Sequence, residues 1–236
     1  MNDFLIENTS FITKLFEIVA AISGSIYLRQ TKNEKIRIFV YYLWLTVIVE
    51  TIGGYKSLLQ NNYDYEWFIN IKNSVFCQNS WLYNIYTFLA VGLIGIFYSN
   101  LMSTQIYKVL IRGTFILYSL FSLIFFSFTD AFFVMSLPYD LILATVIICF
   151  YVVLYFLELM KSDFILKFYT LASFYISVGL MLWHICVTPL FIFDNYFIPI
   201  NTNFYEFRTL LLAYINIFTY SCFAFGFWYS LKMSKQ

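Results

Sequence analysis

Seven apolar runs of membrane-crossing length recur along the chain, each broken by a cluster of charges: about 11–28, 38–55, 81–99, 109–128, 139–158, 166–193 and 207–231. A helix rises about 1.5 Å per residue, so about 20 such residues cross the ~30 Å hydrocarbon core of a bilayer. The fourth run has the least distinct end, because Phe115 to Phe128 continues almost unbroken through Asp130 to Met135 before Pro138 stops it. The sixth is long and contains Pro189, which removes a backbone donor and should kink the helix or end it early. The pattern predicts an all-α, polytopic membrane protein: a seven-transmembrane-helix bundle forming a single domain over 1–236. No soluble linker, low-complexity tract or internal repeat interrupts it.

Composition supports the same reading. Hydrophobic residues make up 61% of the 236 residues and charged ones 11%, against about 45–50% and about 25% in soluble domains. A soluble domain of this size exposes too much surface to be so apolar in water, so most of the outer surface must face lipid. The bilayer is therefore the first expected partner. A net charge of +1 offers no basic patch able to hold a phosphate backbone, so nucleic acid is not expected as a partner. The N-terminus carries Asp3 and Glu7 rather than a basic stretch, and the first apolar run reads as a retained span rather than a cleaved signal.

Charge position sets an expected direction. Arg29, Lys32, Lys35, Arg37, Lys108, Arg112, Lys161, Lys167, Lys232 and Lys235 all fall on one side of the seven runs, while the other side holds only Lys14, Lys56, Lys72 and Arg208. Basic residues resist translocation, so the N-terminus is expected outside and the C-terminus in the cytoplasm, in a bacterial inner membrane. The extended polar stretches Lys56–Ser80 and Asp194–Arg208 then lie outside, as connecting loops or as a lid over something bound there.

Polar side chains inside a span need a physical reason, since an ionised residue at a helix centre costs about 2.5–3.5 kcal/mol on insertion scales. Lys14 and Glu17 in the first run, Glu50 in the second, Asn84 in the third, His184 in the sixth and Asn216 in the seventh qualify. Counted from the expected outer ends, Glu17 and Glu50 lie ~9 Å deep, His184 and Asn216 about 12–13 Å and Asn84 roughly 5 Å. The expectation is that Glu50, Asn84, His184, Asn216 and Glu17 converge on one polar pocket that opens outward. Each also has a structural reading. Lys14 and Glu17, three apart, would pair locally, and Glu50 would bond to neighbouring hydroxyls beside Gly53 and Gly54. His184 would pack as a lone histidine, and the two asparagines would join helices. At the opposite end Glu158 and Lys161 would form a solvated pair.

Missing motifs narrow the chemistry. Cys77, Cys149, Cys186 and Cys222 stand singly, and His184 is the only histidine, so no metal site and no cofactor is expected. There is no HExxH, GxSxG or GxxxxGK[ST]. The seventh run has no internal lysine, which argues against a retinal Schiff base. An enzyme is not expected.

Three segments together carry a resemblance: Thr46-Val-Ile-Val-Glu-Thr-Ile-Gly-Gly-Tyr55, Leu82-Tyr-Asn-Ile-Tyr-Thr87, and Phe174-Tyr-Ile-Ser-Val-Gly179 with Asn216-Ile-Phe-Thr-Tyr-Ser221. From about 38 to 230 the chain resembles small, stand-alone seven-helix membrane proteins of Bacteroidota that lack a soluble effector domain. The resemblance implies the fold and the bacterial inner membrane, and no established activity. In that pattern an acidic residue follows within the third span, where this chain has Ala90, which puts acid-pair chemistry between spans two and three in doubt. The functional expectation is a receptor or sensor-like protein that signals to a separate membrane or cytoplasmic partner. The alternatives are a channel or transporter for a small solute or proton, and a structural membrane subunit.

Overall fold

The computed structural model describes residues 2–59, 65–129, 131–134, 138–197 and 202–235. Its elements are α1 (Asn2–Thr31), α2 (Glu34–Gly53), α3 (Tyr55–Leu58), α4 (Glu66–Lys72), a 3₁₀ turn Val75–Cys77, α5 (Ser80–Leu101), α6 (Gln105–Phe128), α7 (Ala131–Val134), α8 (Pro138–Lys161), a 3₁₀ segment Asp163–Thr170, α9 (Ala172–Phe197) and α10 (Thr202–Met233). Among the described residues all regular structure is helical, and α1, α2, α5, α6, α8, α9 and α10 are long and apolar enough to cross a membrane. The protein is a seven-helix membrane bundle.

Short turns at one end force successive helices to run antiparallel. Between α1 and α2 only Lys32 and Asn33 intervene: Lys32 takes a left-handed conformation at φ 51°, and the Asn33 side chain caps α2 by accepting from the Lys35 backbone N–H. Packing then closes a ring of six helices. α1 lies most extensively against α10, α10 against α9, α9 against α8, α8 against α5, α5 against α2, and α2 against α1. α6 stands outside this ring, touching only α5 and α8 substantially. It is accordingly the least buried of the seven, and its Leu117, Leu123 and Phe128 are 68%, 61% and 85% exposed. Such side chains are stable only against lipid.

The centre of the ring is aromatic. Phe39 packs on Phe97 at 5.2 Å between ring centroids and edge-on to Phe223 at 5.1 Å, with Phe227 at 6.4 Å. All four are essentially inaccessible. α9 reaches α10 here because Gly179 has no side chain: a Cβ at that position would stand 2.6 Å from Cε1 of Phe223.

Two expectations about boundaries change. The sixth span does not begin at 166. Residues 163–170 form the 3₁₀ segment, interrupted by non-helical Lys167, and α9 starts at Ala172. Within this stretch Phe164 and Leu166 remain largely exposed while Phe168 tucks against the core. Pro189 does not end the helix, which continues to Phe197. Val187 and Leu190 are buried on either side of it while Pro189 itself is exposed, so packing maintains the helix across the missing donor.

Candidate functional site

The residues singled out from the sequence divide into separate places. Glu17 and Glu50 come together, and the other three do not join them.

Three polar stripes meet at the end of the bundle that carries the N-terminus. Ser10, Lys14 and Glu17 recur at helical spacing on α1; Tyr42, Thr46 and Glu50 do so on α2; Asn79, Tyr83 and Tyr86 do so at the start of α5. Their upper members line a cavity of about 290 Å³, together with Gly53, Gly54 and Lys56. Tyr83 donates its hydroxyl to Glu50 Oε2 at 3.2 Å. It comes that close because Gly53 faces it: a Cβ there would lie 2.8 Å from the tyrosine oxygen. Asn79 donates to the Gly53 carbonyl at 3.1 Å, tying the end of α2 to the start of α5.

Lys14 and Glu17 do not form the expected local pair. Glu17 turns inward to 5% exposure, and its Oε2 has no hydrogen-bond partner among the described residues. Lys14 instead extends over the Gly54 backbone, its Nζ 3.5 Å from where a Cβ would stand, at the electronegative C-terminal end of α2. The ammonium remains within electrostatic range of both carboxylates without closing an ion pair to either.

Beneath this cavity the stripes continue inward. Thr46 Oγ1 lies 3.0 Å from the Tyr86 hydroxyl, which donates to Tyr42 at 3.4 Å, and Thr46 itself donates to the Tyr42 carbonyl. Glu17 and Glu50 lie within electrostatic range of one another and of Tyr220 on α10. The polar network stops at the aromatic layer, where Tyr220 meets Phe223 and Tyr42 meets Phe39.

The expected five-residue pocket is therefore corrected. Asn84 donates to the Phe132 carbonyl at 3.0 Å and fastens α7 to α5. His184 faces α8, its Nδ1 3.3 Å from Thr145 Oγ1, which in turn lies 2.6 Å from Thr188 Oγ1. Asn216 accepts from Trp183 Nε1 at 2.7 Å and joins α10 to α9. A shared position in the outer half did not bring these side chains together, because helix rotation aims them into different interhelical seams. Glu50 and His184 do not meet. Among the described residues no group of three His, Cys, Asp or Glu side chains is placed to hold a metal ion.

The polar stretch Lys56–Ser80 folds over the same end, so far as it is described; Asp64 lies outside the described residues. Tyr55 is its anchor, donating to the carbonyls of Phe76 and Gln78 at 2.7 and 2.8 Å and accepting from Trp81 Nε1 at 3.1 Å. The other candidate lid, Asp194–Arg208, is mostly helix rather than an extended loop: 194–197 end α9 and 202–208 begin α10, with 198–201 outside the described residues.

No family model, curated protein or solved structure matches the chain. The site accordingly rests on its own geometry.

A second cavity, of about 400 Å³, opens at the opposite end and was not anticipated. Lys35, Glu158 and the buried pairs Tyr155–Ser173 and Tyr27–Ser230 line it, with oxygen separations of 2.8 and 3.4 Å. The expected Glu158–Lys161 pair is replaced. Glu158 accepts from the backbone N–H groups of Ser103 and Thr104 in the connection before α6, tying it to α8, while Lys161 donates to the Tyr107 hydroxyl at 3.1 Å. The hydroxyls of Tyr27, Tyr155, Ser173 and Ser230 escaped notice because serine and tyrosine carry no charge cost that would mark them in an apolar run.

Proposed function

We propose that the protein is a receptor or sensor-like membrane protein of the bacterial inner membrane, with the cavity at Glu50 facing outward and the basic end in the cytoplasm. The observation that carries this reading is a polar, carboxylate-floored cavity closed from below by a dry aromatic layer. A solute can enter from one side, and Phe39, Phe97, Phe223 and Phe227 leave it no way through. Lys14, Glu50 and Tyr83 sit on α1, α2 and α5, which also contribute Tyr27, Lys35 and Leu101 to the far cavity. A rigid shift of any of these helices on binding would change the shape of the far end. The connections there, Lys32–Asn33, Met102–Thr104 and the ten residues 162–171, are too short to host an effector, so the signal would pass to a separate membrane or cytoplasmic partner.

The second reading is transport. The far cavity favours it, since two polar spaces on opposite sides of a thin barrier are what alternating access requires. Purified protein in lipid nanodiscs, screened by thermal shift against small polar solutes, tests the first reading. A solute that stabilises the wild type and not Glu50→Gln supports it, and a screen without any Glu50-dependent binder ends it. Flux of the bound solute into proteoliposomes would replace sensing by transport.

A further inference from the structure

The cavity at Glu50 has a charge pattern more specific than mere polarity. Its lining is built from charged or hydrogen-bonding side chains and two glycines, with no aliphatic or phenylalanine side chain. The groups are divided within it: Lys14 and Lys56 supply positive charge, and Glu50 supplies a carboxyl with the Tyr83 hydroxyl against it. Glu17 adds a second carboxyl within electrostatic range of Glu50 and Tyr83, buried and with one oxygen still lacking a partner. Two helix ends face the same space. The C-terminus of α2 at Gly53 and the residue just before α5, Asn79, both line it and are joined by the bond from the Asn79 amide to the Gly53 carbonyl.

Cationic and carboxyl groups stand at separate points of one space, so a simple cation would meet the two lysines and a simple anion the Glu50 carboxyl. Resting on the reading of this cavity as a binding site, we propose that its ligand is a small zwitterion: an ammonium directed to Glu50 with Glu17 behind it, and an acidic group held by Lys14 and Lys56. A volume of about 290 Å³ suits a molecule of a few heavy atoms with its hydration rather than a peptide or a lipid.

The test uses the whole protein in nanodiscs, titrated with glycine, β-alanine and taurine as zwitterions and with methylammonium and acetate as half-ligands, read by calorimetry and thermal shift. At least one zwitterion should bind about tenfold or more tightly than either half-ligand, since each charge-assisted contact contributes on that scale. Glu50→Gln should weaken zwitterion and methylammonium alike, whereas Lys14→Gln should weaken the zwitterion and leave methylammonium unchanged or tighter. Tyr83→Phe and Lys56→Gln serve as milder variants at the two poles if either of the first pair fails to fold. Methylammonium binding as tightly as every zwitterion, or proton uptake with no solute bound, overturns the zwitterion. So does a Glu50-dependent binder in the broader screen that carries one charge or none. In those cases the binding site stands, whereas the absence of any Glu50-dependent binder removes the site itself.

Discussion

Replacing Gly179 by alanine probes the aromatic layer that separates the two cavities. The added Cβ would stand 2.6 Å from Cε1 of Phe223, 3.2 Å from Cδ1 and 3.4 Å from Cζ. That ring has nowhere to go: it is 1% exposed, held edge-on to Phe39 at 5.1 Å and to Tyr220 at 5.8 Å. Overpacking of this kind costs about 1–3 kcal/mol, and alanine's better helix propensity offsets about 1 kcal/mol of it. The expected net loss is centred on ~1 kcal/mol and reaches about 2, a fall of about 2–4 °C in Tm per kcal/mol for a chain of this length. Phe223→Leu alone should also destabilise, by leaving a void. In the double variant the methyl group fills space that the phenyl vacates, so the two costs should fall short of additive by about 1 kcal/mol. Thermal unfolding in detergent, followed by tryptophan fluorescence on the wild type, both single variants and the double variant, completes the cycle. A Tm raised by Gly179→Ala, or strict additivity, would refute the close approach of α9 to Phe223, and with it the closed layer on which the sensor reading depends.

Other consequences follow from single contacts. Glu17→Leu should hold or raise Tm, because it removes a buried carboxyl oxygen that has no partner at little change in volume; a clear drop would show that the carboxyl contributes to folding. Tyr83→Phe should cost about 1 kcal/mol by stripping Glu50 of its hydrogen bond, and an unchanged Tm together with unchanged ligand affinity would deny that contact. Glu158→Ala, removing the acceptor of the Ser103 and Thr104 N–H groups, should destabilise by about 1–3 kcal/mol, with hydrogen exchange rising first at those two amides; unchanged protection there would contradict it. Lys32→Gly should stabilise by about 0.5–1 kcal/mol, since glycine takes the left-handed conformation without strain, and a lower Tm would count against the turn geometry.

The spans were legible because their signal is one-dimensional. Apolar length fixes a crossing whatever it packs against, so α2, α5, α6 and α8 begin and end within four residues of the apolar runs, while α1 and α10 cover theirs and start nine and five residues earlier, in turns that reach past the hydrocarbon. The exception, residues 166–171, is apolar and yet does not cross. Hydropathy records preference for lipid, not direction, and a segment lying along the bundle end satisfies it equally well.

For the site, the sequence supplied the costly residues and their depth: Glu17 and Glu50 were found because a carboxyl in an apolar helix is rare. Azimuth was the missing coordinate. The four-residue spacing of Tyr42, Thr46 and Glu50, and that of Ser10 and Lys14, already marked one face on each helix, and matching those stripes would have paired α1 with α2 and α5 while leaving His184 out. Only the tertiary structure decided that His184 turns to Thr145, that Asn84 and Asn216 serve as fasteners, and that Tyr83 meets Glu50 across Gly53. The far cavity depended on it entirely. The chain alone determined how often the membrane is crossed and which polar groups must be accommodated; helix rotation about each axis, fixed by close packing among neighbours, determined which of them share a space.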